Sequence, residues 1–354
     1  MRFDAGPFRS SEIDLTPPPP SARRVARSRR RIALLFGALS GAGVGMLSMG
    51  LSVYALRDYG APLMVATPAV AGFVATWLYA GLYRPSFRGT LAVTGLSFVI
   101  GIVGLGLSAI EGFGCMLMAS PLFCIEAVLG GLLAHAIARS RASAAPGVAT
   151  SALAVLPLAF AANAASPAPL EASVPVESEV VVHAPPDVVW KRVIAFPPLA
   201  PPTEAIFRAG IAAPLAATLD GEGPGAVRRC EFTTGTFVEP IEAWRPGHEL
   251  SFSVASQPAP MREVTLYAGP RPPHLDGYLE STRGQFVLEA LPDGSTRLVG
   301  RTWYRVHMAP LPYWRFWGDR IIHAIHMRVL RHVASLAEHD ALVAVDLAGP
   351  GKRQ

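Results

Sequence analysis

The sequence predicts an α-helical transmembrane bundle followed by an α+β domain in which a curved antiparallel sheet surrounds a long C-terminal helix. Three observations predict this fold class. Hydrophobic residues make up 51% of the 354 residues, and the mean hydropathy of +0.35 is too high for an ordinary soluble protein of this length. Apolar segments of helical length fill residues 32–165. From Val174 onward the sequence instead alternates between apolar and polar residues, and it ends in one long amphipathic segment.

The first segment, residues 1–31, is predicted to be a disordered tail that is basic and rich in proline. Thr16 is followed by four consecutive prolines, and the segment has few large apolar groups, so it cannot bury enough surface to fold. Six arginines between Arg23 and Arg31 come directly before the first apolar segment. This position is typical of a membrane-topology signal, and we therefore expect no nucleic-acid partner.

Residues 32–166 are predicted to form a transmembrane domain of four or five helices. Four apolar segments each supply the roughly 20 residues that a helix needs to cross about 30 Å of hydrocarbon. These segments are residues 32–56, 62–83, 89–110 and 115–138. A fifth segment, residues 147–165, is rich in alanine and contains Pro157. It either spans the membrane, lies at the membrane surface or serves as a linker.

The arginines predict how the bundle is oriented in the cytoplasmic (inner) membrane. The basic tail, Arg84 with Arg88, and Arg139 with Arg141 fall on one side of the bundle. The positive-inside rule makes this side cytoplasmic, so the N-terminus is predicted to be cytoplasmic. If the fifth segment spans the membrane, the C-terminal domain lies on the extracytoplasmic side, which is the arrangement we favour. If it does not, that domain is cytoplasmic.

Glu126 is the candidate polar site of the membrane half. It lies near the middle of the fourth apolar segment, where an ionised carboxylate is costly unless it is paired, protonated or hydrated. Two interpretations stay open. Glu126 is either a functional group of the bundle or a protonated carboxyl group that forms hydrogen bonds between helices.

The C-terminal half is predicted to contain a strand, two short helices, six further strands and one long helix. Turn sequences such as Arg245-Pro246-Gly247 separate the strands, which favours an antiparallel meander. The strands are predicted at residues 174–183, 227–232, 236–244, 249–254, 262–267, 278–290 and 296–308, and the short helices at 188–193 and 203–212. The long helix is predicted at residues 313–339, and residues 341–354 are expected to be a tail.

This order of elements over residues 173–340 resembles the helix-grip fold of the START-like, polyketide cyclase/dehydrase and lipid-transport (SRPBCC) superfamily. The resemblance is carried by VVVHAPPDVVW at residues 180–190, FVEPIEAWRPGHELSF at 237–252, GSTRLVGRTWY at 294–304 and the terminal helix. It implies an apolar cavity between sheet and helix, which this superfamily uses for lipids, sterols, polyketides or hydroxylated aromatic compounds. It does not imply an activity, because the superfamily shares no universal catalytic motif.

A ligand in such a cavity is expected to contact the terminal helix and the strand before it. The helix carries its apolar residues on one face, and His326 borders that face. The predicted ligand-binding residues are Ile322, Ile325, His326, Val329 and Val333 of the helix and Trp303 and Tyr304 of the strand.

Three polar residues of the terminal helix are the candidates for catalysis. Asp319, His323 and His326 lie within about 60° of one another around a helix, so one of the histidines could exchange a proton with a ligand. Structural histidines are the alternative. We expect no metal site, because ligands at positions i, i+4 and i+7 extend over nearly two turns, which a single ion seldom spans.

The sequence therefore predicts a binding module more than an enzyme. A membrane-anchored domain would hold a hydrophobic ligand, lipid-like or aromatic, in an internal cavity for transfer or sensing at the membrane. One alternative is an enzyme of the cyclase or dehydratase type that uses a cavity histidine as acid or base. Another is a sensor or assembly component of a membrane complex. The sequence has no nucleotide-binding or nucleophile motif, so no cofactor is expected, and it makes no prediction for the oligomeric state.

Overall fold

The computed structural model describes residues 20–108, 110–140, 148–165, 175–263 and 275–348. Long helices precede a curled antiparallel sheet and a long C-terminal helix, which confirms the predicted fold class. The C-terminal half has the helix-grip architecture, because the sheet curves around its terminal helix.

The described part of the N-terminal half contains five α-helices. They are α1 Pro20–Gly50, α2 Thr67–Leu82, α3 Phe87–Ser108, α4 Phe113–Arg139 and α5 Val148–Ala165. Two wider π-helical segments, Leu51–Leu56 and Pro62–Ala66, extend α1 and lead into α2. Within the described ranges, four stretches are long and apolar enough to cross a membrane: Arg24–Leu56, Pro62–Leu82, Phe87–Ser108 and Phe113–Arg139.

Helix α1 begins earlier than expected. It starts at Pro20, so residues 20–31 are helical and do not belong to a disordered tail. Proline is favoured in the first turn of a helix because its fixed φ suits that turn and its missing N–H would have no partner there. Arginine, which dominates the next residues, also has a high helix propensity. The rest of the predicted tail, residues 1–19, lies outside the described residues.

Glycines bring the helices of the bundle into close contact. A Cβ atom on Gly41 of α1 would lie only 2.6 Å from the carbonyl oxygen of Ala71 in α2. Gly72 of α2 and Gly130 of α4 likewise have no room for a Cβ, because the backbone of the facing helix lies against them. Small residues at helix crossings are a common means of packing helices where no water drives their association.

Seven strands form one sheet in the order β1-β7-β6-β5-β4-β3-β2, and every neighbouring pair is antiparallel. The strands are β1 Pro175–Val182, β2 Pro214–Asp220, β3 Val227–Phe232, β4 Gly235–Arg245, β5 Glu249–Ser253, β6 Leu279–Ala290 and β7 Thr296–Val306. Two short helices, α6 Pro186–Ile194 and α7 Ala205–Arg208, follow β1, and α8 Leu311–Ala348 ends the domain. Strands β2 to β7 thus form a meander, and β1 pairs with β7.

Several predicted elements differ from the structure. The short helix expected at residues 203–212 is limited to α7, Ala205–Arg208. Strand β2 was not predicted, since it contains Ala216 and Ala217 and alanine gives little local strand signal; pairing with β3 is what makes it a strand. The strand expected at 262–267 does not begin at Arg262 or Glu263, and residues 264–267 lie outside the described residues. Helix α8 continues to Ala348, so residues 341–348 are helical and not part of a tail.

Helix α8 packs its apolar face onto the concave side of the sheet. Val329, Leu330 and Val333 are almost completely buried there, together with Leu250 and Leu298 of the sheet. This side of the domain is a continuous core. The N-terminal part of α8 is less tightly filled, and the cavity described below lies there.

A second cluster of buried residues joins the domain to the bundle. Tyr59 and Met116 of the bundle are buried in this cluster with Tyr304, Trp314 and Ile322 of the domain. We call it the junction cluster. It forms at the end of the bundle where the first two long apolar helices are connected and where α4 begins.

Hydrogen bonds cross the same junction. The backbone N–H groups of Gly114 and Cys115 donate to the Glu263 carboxylate over 3.1 and 3.2 Å. The hydroxyl of Tyr278 donates to the carbonyl of Arg57 at 2.7 Å, and the hydroxyl of Tyr313 donates to a carbonyl of α4. The domain is therefore held against the bundle by both apolar and polar contacts.

Candidate functional site

A cavity of about 100 Å³ lies between the concave face of the sheet and the N-terminal part of α8. Alternation along β3 turns Arg228, Cys230 and Phe232 towards it, since successive side chains of a strand point to opposite faces. Residues of β4, β5, β6 and β7 complete the sheet side. The cavity is partly open to the surface.

Aromatic rings form much of the cavity wall. Phe232 and Phe237 pack together with their ring centroids 4.7 Å apart, and Phe252 lies beside Phe286 at 6.2 Å. Gly284 makes the second pair possible, because a Cβ atom at that position would overlap the ring of Phe252. The wall is thus mainly apolar.

An ion pair is buried in this apolar wall. Arg228 and Glu239 are directly opposite each other in the β3–β4 register, and the guanidinium donates to the carboxylate. Their side chains are only 2% and 8% exposed. The guanidinium carbon lies 5.4 Å from the ring centroid of Phe252 and 5.6 Å from those of Phe196 and Phe286. The Nε–H of Arg228 has no acceptor among the described residues.

Burial shifts the ionisation of the groups beside this pair. Desolvation raises the pKa of Glu239 in spite of the opposing effect of Arg228, which stays a cation. Desolvation also raises the pKa of Cys230 to about 12. Because the thiolate is the reactive form of cysteine, Cys230 is not a nucleophile at neutral pH.

A chain of hydrogen bonds runs from the cavity to the surface. His326 Nε2 lies 2.7 Å from the Thr302 hydroxyl, and His326 Nδ1 lies 3.1 Å from the Ser178 hydroxyl. The same hydroxyl lies 2.7 Å from Nδ1 of His323, which is exposed. Burial, and after it the neighbouring His323, lowers the pKa of His326 to about 4, so this imidazole is neutral at pH 7.

Asp319 is not part of this chain. Its carboxylate accepts a hydrogen bond from the hydroxyl of Tyr304 at 2.5 Å. Burial, and to a smaller extent this hydrogen bond, raises the pKa of the Tyr304 phenol. Asp319, His323 and His326 therefore do not act on one common atom. Among the described residues, no group of three His, Cys, Asp or Glu side chains is arranged to hold a metal ion.

The structure divides the predicted ligand-binding residues into two sets. Ile322, Ile325, His326 and Val329 line the cavity. The other three do not. Val333 packs in the continuous core, Tyr304 belongs to the junction cluster, and the indole of Trp303 lies 5.1 Å from the guanidinium carbon of Arg283.

The sequence analysis missed the buried ion pair. One signal for it was present, since Arg228 and Arg229 are consecutive in a predicted strand and only one of them can face solvent. Glu239 as its partner could not be inferred, because that pairing depends on the register between two strands. Ser178 and Thr302 carried no signal in the sequence, since their role arises from contacts with α8.

Glu126 is half-buried on α4, and its carboxylate has no hydrogen bond or ion pair within the described part of the chain. Glu111, at the start of α4, is by contrast almost completely buried and accepts a hydrogen bond from the Tyr59 hydroxyl at 2.6 Å. The contact between Tyr59 and Glu111 thus lies at the junction with the domain, whereas Glu126 is further along α4.

Comparison with known proteins gives matches only among solved structures. No protein-family model matches the chain, and no curated protein matches it. The chain is 16% identical to a protein from Nitrosospira multiformis, with 46% of this chain and 94% of that chain covered and a TM-score of 0.30. It is 16% identical to the Zhui aromatase/cyclase from Streptomyces sp. R1128, with 50% of this chain and 99% of that chain covered and a TM-score of 0.31. It is 14% identical to a point mutant of norcoclaurine synthase from Thalictrum flavum in complex with a transition-state analogue. That match covers 48% of this chain and 99% of that chain, with a TM-score of 0.31. Each likeness covers about half of this chain.

Proposed function

We propose that the helix-grip domain binds a hydrophobic small molecule, lipid-like or aromatic, in the cavity between the sheet and α8, and that the bundle anchors this domain in a membrane. The observation that carries the proposal is the cavity itself, with phenylalanine rings on one side and Ile322, Ile325 and Val329 on the other. Ligand sites are typically concave and apolar, with a small number of polar groups that orient the ligand.

The size of the cavity limits the ligand. Its volume of about 100 Å³ is below the roughly 300–1,000 Å³ of most ligand sites, and an apolar cavity of about 150 Å³ is known to hold benzene. A single aromatic ring, or the end of a longer chain, therefore matches the space best. The remainder of a longer molecule would extend through the open side.

Anchoring gives the cavity access to compounds dissolved in the bilayer. A binding domain tethered to its source meets the ligand at a high effective concentration, so even a modest intrinsic affinity suffices for capture. The junction cluster supports this arrangement, because it holds the domain directly against the end of the apolar helices.

The same contacts support an extracytoplasmic domain. The domain lies against the loops that follow Leu56 and precede Phe113, whereas Arg84, Arg88 and Arg139 are at the opposite ends of their helices. Under the positive-inside rule the arginine end is cytoplasmic. We therefore place the domain outside the cytoplasm.

Helix α5 fits this placement. It follows Arg139 in the chain, and Asn163 near its C-terminal end donates to Asp58 at 2.8 Å, in the loop at the domain end of the bundle. Its 18 residues extend over roughly 27 Å, close to the thickness of the hydrocarbon layer. We propose that α5 is the fifth spanning helix and returns the chain to the side of the domain.

Native mass spectrometry of the full-length protein, purified in mild detergent, tests the binding function. The expected result is a bound apolar molecule that a cavity-filling Gly300→Leu variant loses. Gly300→Ala is the matched control, because a Cβ atom there would be in ordinary contact with Leu330 at 3.5 Å and would leave the cavity open. A wild-type protein that carries no organic molecule and binds no added toluene would contradict the proposal.

One observation favours a second candidate function, acid–base catalysis on the bound molecule. The chain from His326 through Ser178 to exposed His323 would let a proton leave or enter the closed end of the cavity. An enzyme of the cyclase or dehydratase type needs such a path. Retention of a ligand's exchangeable C–H deuterium by wild-type protein in water, to the same extent as by a His326→Gln variant, would exclude this candidate.

A further inference from the structure

The buried ion pair in the cavity wall points to the chemical class of the ligand. We propose that Arg228 and Glu239 together form a recognition site for a carboxylic acid, whose carboxylate binds Arg228 while its proton passes to Glu239. This inference rests on the proposed binding function and deepens it. The expected ligand is an amphipathic monocarboxylic acid with an apolar body of the size of one aromatic ring.

A purely structural role explains the pair poorly. Removing two charges from water is costly, and exchanging a buried ion pair for apolar residues is often neutral or stabilising. Here the pair also lines a cavity, where a bound molecule could reach it. The Nε–H of Arg228 is completely buried and has no acceptor within the described ranges, and the guanidinium presents its donors as a planar fork that suits a carboxylate.

The aromatic rings around Arg228 suit the same ligand. Phe196, Phe252 and Phe286 surround the guanidinium at 5.4 to 5.6 Å and exclude water from it. A carboxylate at Arg228 would therefore meet a cation in a medium of low dielectric constant, where their attraction is stronger than in water. The apolar body of the ligand would lie against the phenylalanine wall.

The other ionisable groups that face the cavity do not compete for this role. Cys230 of β3 is protonated at neutral pH. Arg283 of β6 lies 3.8 Å from Glu242, and Arg301 of β7 pairs with Glu177 at 2.6 Å. His326 of α8 is engaged by Ser178 and Thr302. Phe252 of β5 and Val254 just after it are apolar, and Glu239 is the one carboxylate among the described lining residues.

The exchange balances in charge and in protons. The acid RCOOH loses its proton to the carboxylate of Glu239, RCOO⁻ replaces that carboxylate beside Arg228, and the cavity stays neutral. No other bond forms or breaks. Burial favours the protonated form of Glu239, so the proton is retained there. The site thus accepts the neutral acid, which is also the form that dissolves in a bilayer.

Isothermal titration calorimetry of the full-length protein in detergent, with benzoate as the probe, tests this inference. Benzoate is ionised at neutral pH, so its binding should take up about one proton per molecule, measured as a difference in heat between phosphate and Tris buffers. Its Kd should rise about tenfold per pH unit between pH 6 and 8. The neutral probes benzamide and toluene should bind with no dependence on pH.

Two variants separate the roles of the pair. Glu239→Gln should bind benzoate without proton uptake and at least tenfold more tightly than wild type at pH 8. The double variant Arg228→Met/Glu239→Met removes both charges, so it avoids an unpaired buried charge; it should keep toluene binding and lose benzoate binding. Arg229→Met is the matched control, since Arg229 faces outward from the same strand and its removal should leave all affinities unchanged.

The outcomes distinguish this inference from the proposed function. Toluene binding without proton-linked benzoate binding would overturn the carboxylic-acid site and leave the hydrophobic cavity in place. Benzoate binding by the double variant that equals wild-type binding would overturn the site as well. Failure of all three probes would overturn both.

Discussion

Arg228 and Arg229 are consecutive residues of β3 with opposite surroundings. Arg229 is exposed, whereas Arg228 is among the most completely buried side chains of the described chain. Alternation along a strand produces this difference, and it places a cation among phenylalanine rings where only Glu239 compensates it. The stability of the domain should therefore depend on keeping or removing the two charges together.

Arg228→Met alone should destabilise the protein by roughly 3–5 kcal/mol, because it leaves Glu239 buried without a cation. The double variant Arg228→Met/Glu239→Met should recover most of this loss. Thermal unfolding followed by tryptophan fluorescence measures both effects. A single variant as stable as wild type would show that Glu239 is not ionised in the folded protein.

His326 should make stability depend on pH. Its folded pKa of about 4 is below the ordinary value of 6.5, so the neutral form is favoured by folding. The resulting stability is present in full above pH 6.5 and is lost as the pH falls towards 4. The loss is at most about 3 kcal/mol, because one pKa unit corresponds to about 1.4 kcal/mol.

Urea unfolding at pH 7 and at pH 4.5 checks this dependence. His326→Gln should show a smaller loss between the two pH values than wild type. His339→Gln, at an exposed position of the same helix, should behave as wild type. Equal losses in all three proteins would mean that other groups cause the acid sensitivity.

At the residue scale, helical periodicity predicted more of the cavity than strand alternation did. Ile322, Ile325, His326 and Val329 are on one face of α8 because the helix period alone determines that face. On the strands, the face depends on pairing and on irregularities such as the shift between Ser281 and Arg283. Trp303 does not line the cavity, because Thr302 before it and Tyr304 after it face α8 and successive side chains of a strand point to opposite faces.

Among the elements, α4 contacts the C-terminal domain directly through its first turn. Its first turn leaves backbone N–H groups without partners inside the helix, and the Glu263 carboxylate accepts two of them, from Gly114 and Cys115. The negative charge also interacts favourably with the positive end of the helix dipole. Glu263 thus caps the N-terminus of α4 and connects this helix to the domain.

Glu263→Gln should weaken the junction by about 1 kcal/mol, since it removes the charge and keeps the shape. Hydrogen exchange of the backbone amides of residues 112–116 should become faster, while exchange in β3 and β4 stays the same. Glu289→Gln, on an exposed position of β6, is the control. Unchanged exchange in α4 would show that Glu263 does not hold this helix end in solution.

Removing the charge of Glu126, which also lies on α4, should have little effect on stability. Because its carboxylate has no partner in the described chain, Glu126→Gln should change the free energy of unfolding by less than about 0.5 kcal/mol. The melting temperature in detergent measures this. A large destabilisation would instead indicate a hydrogen-bonded role within the bundle, and a loss of ligand response at unchanged stability would favour the sensor alternative.

The elements differ in how well their own residues predict them. The four long apolar helices were predicted from their length and apolar composition, and α8 from its amphipathic periodicity, with the correct order. Strand β2 was missed because its alanines carry little strand preference, and its pairing with β3 supplies what the local sequence lacks. Helix α1 was placed too late because its basic first turns were interpreted only as a topology signal.

On the scale of the whole molecule, fusions at two positions test the orientation proposed above. A reporter enzyme that is active only outside the cytoplasm, fused after Gln354, should be active, and a fluorescent protein that folds only in the cytoplasm should be dark at the same site. Fusions that end at Arg139 should give the opposite pair of signals. Cytoplasmic fluorescence at Gln354 would mean that α5 does not span the membrane.

The division of the chain into an apolar and a strand-rich half could be predicted from composition and periodicity. The contact between the halves could not, since it depends on residues such as Tyr278 and Tyr313 that no local pattern marks as interfacial. The ion pair between Arg228 and Glu239 could not be predicted either, because only the pairing of β3 with β4 brings these two residues together.

Ile322 lines the cavity and is at the same time part of the junction cluster. A guest that displaces this side chain would also disturb the junction cluster, in which Ile322 is buried together with Tyr59 and Met116 of the bundle. By thermodynamic reciprocity, a change in the bundle that moves Ile322 alters the affinity for the guest by the same free energy. Occupancy of the cavity and packing of the bundle would then be coupled through side chains that belong to both, Ile322 among them.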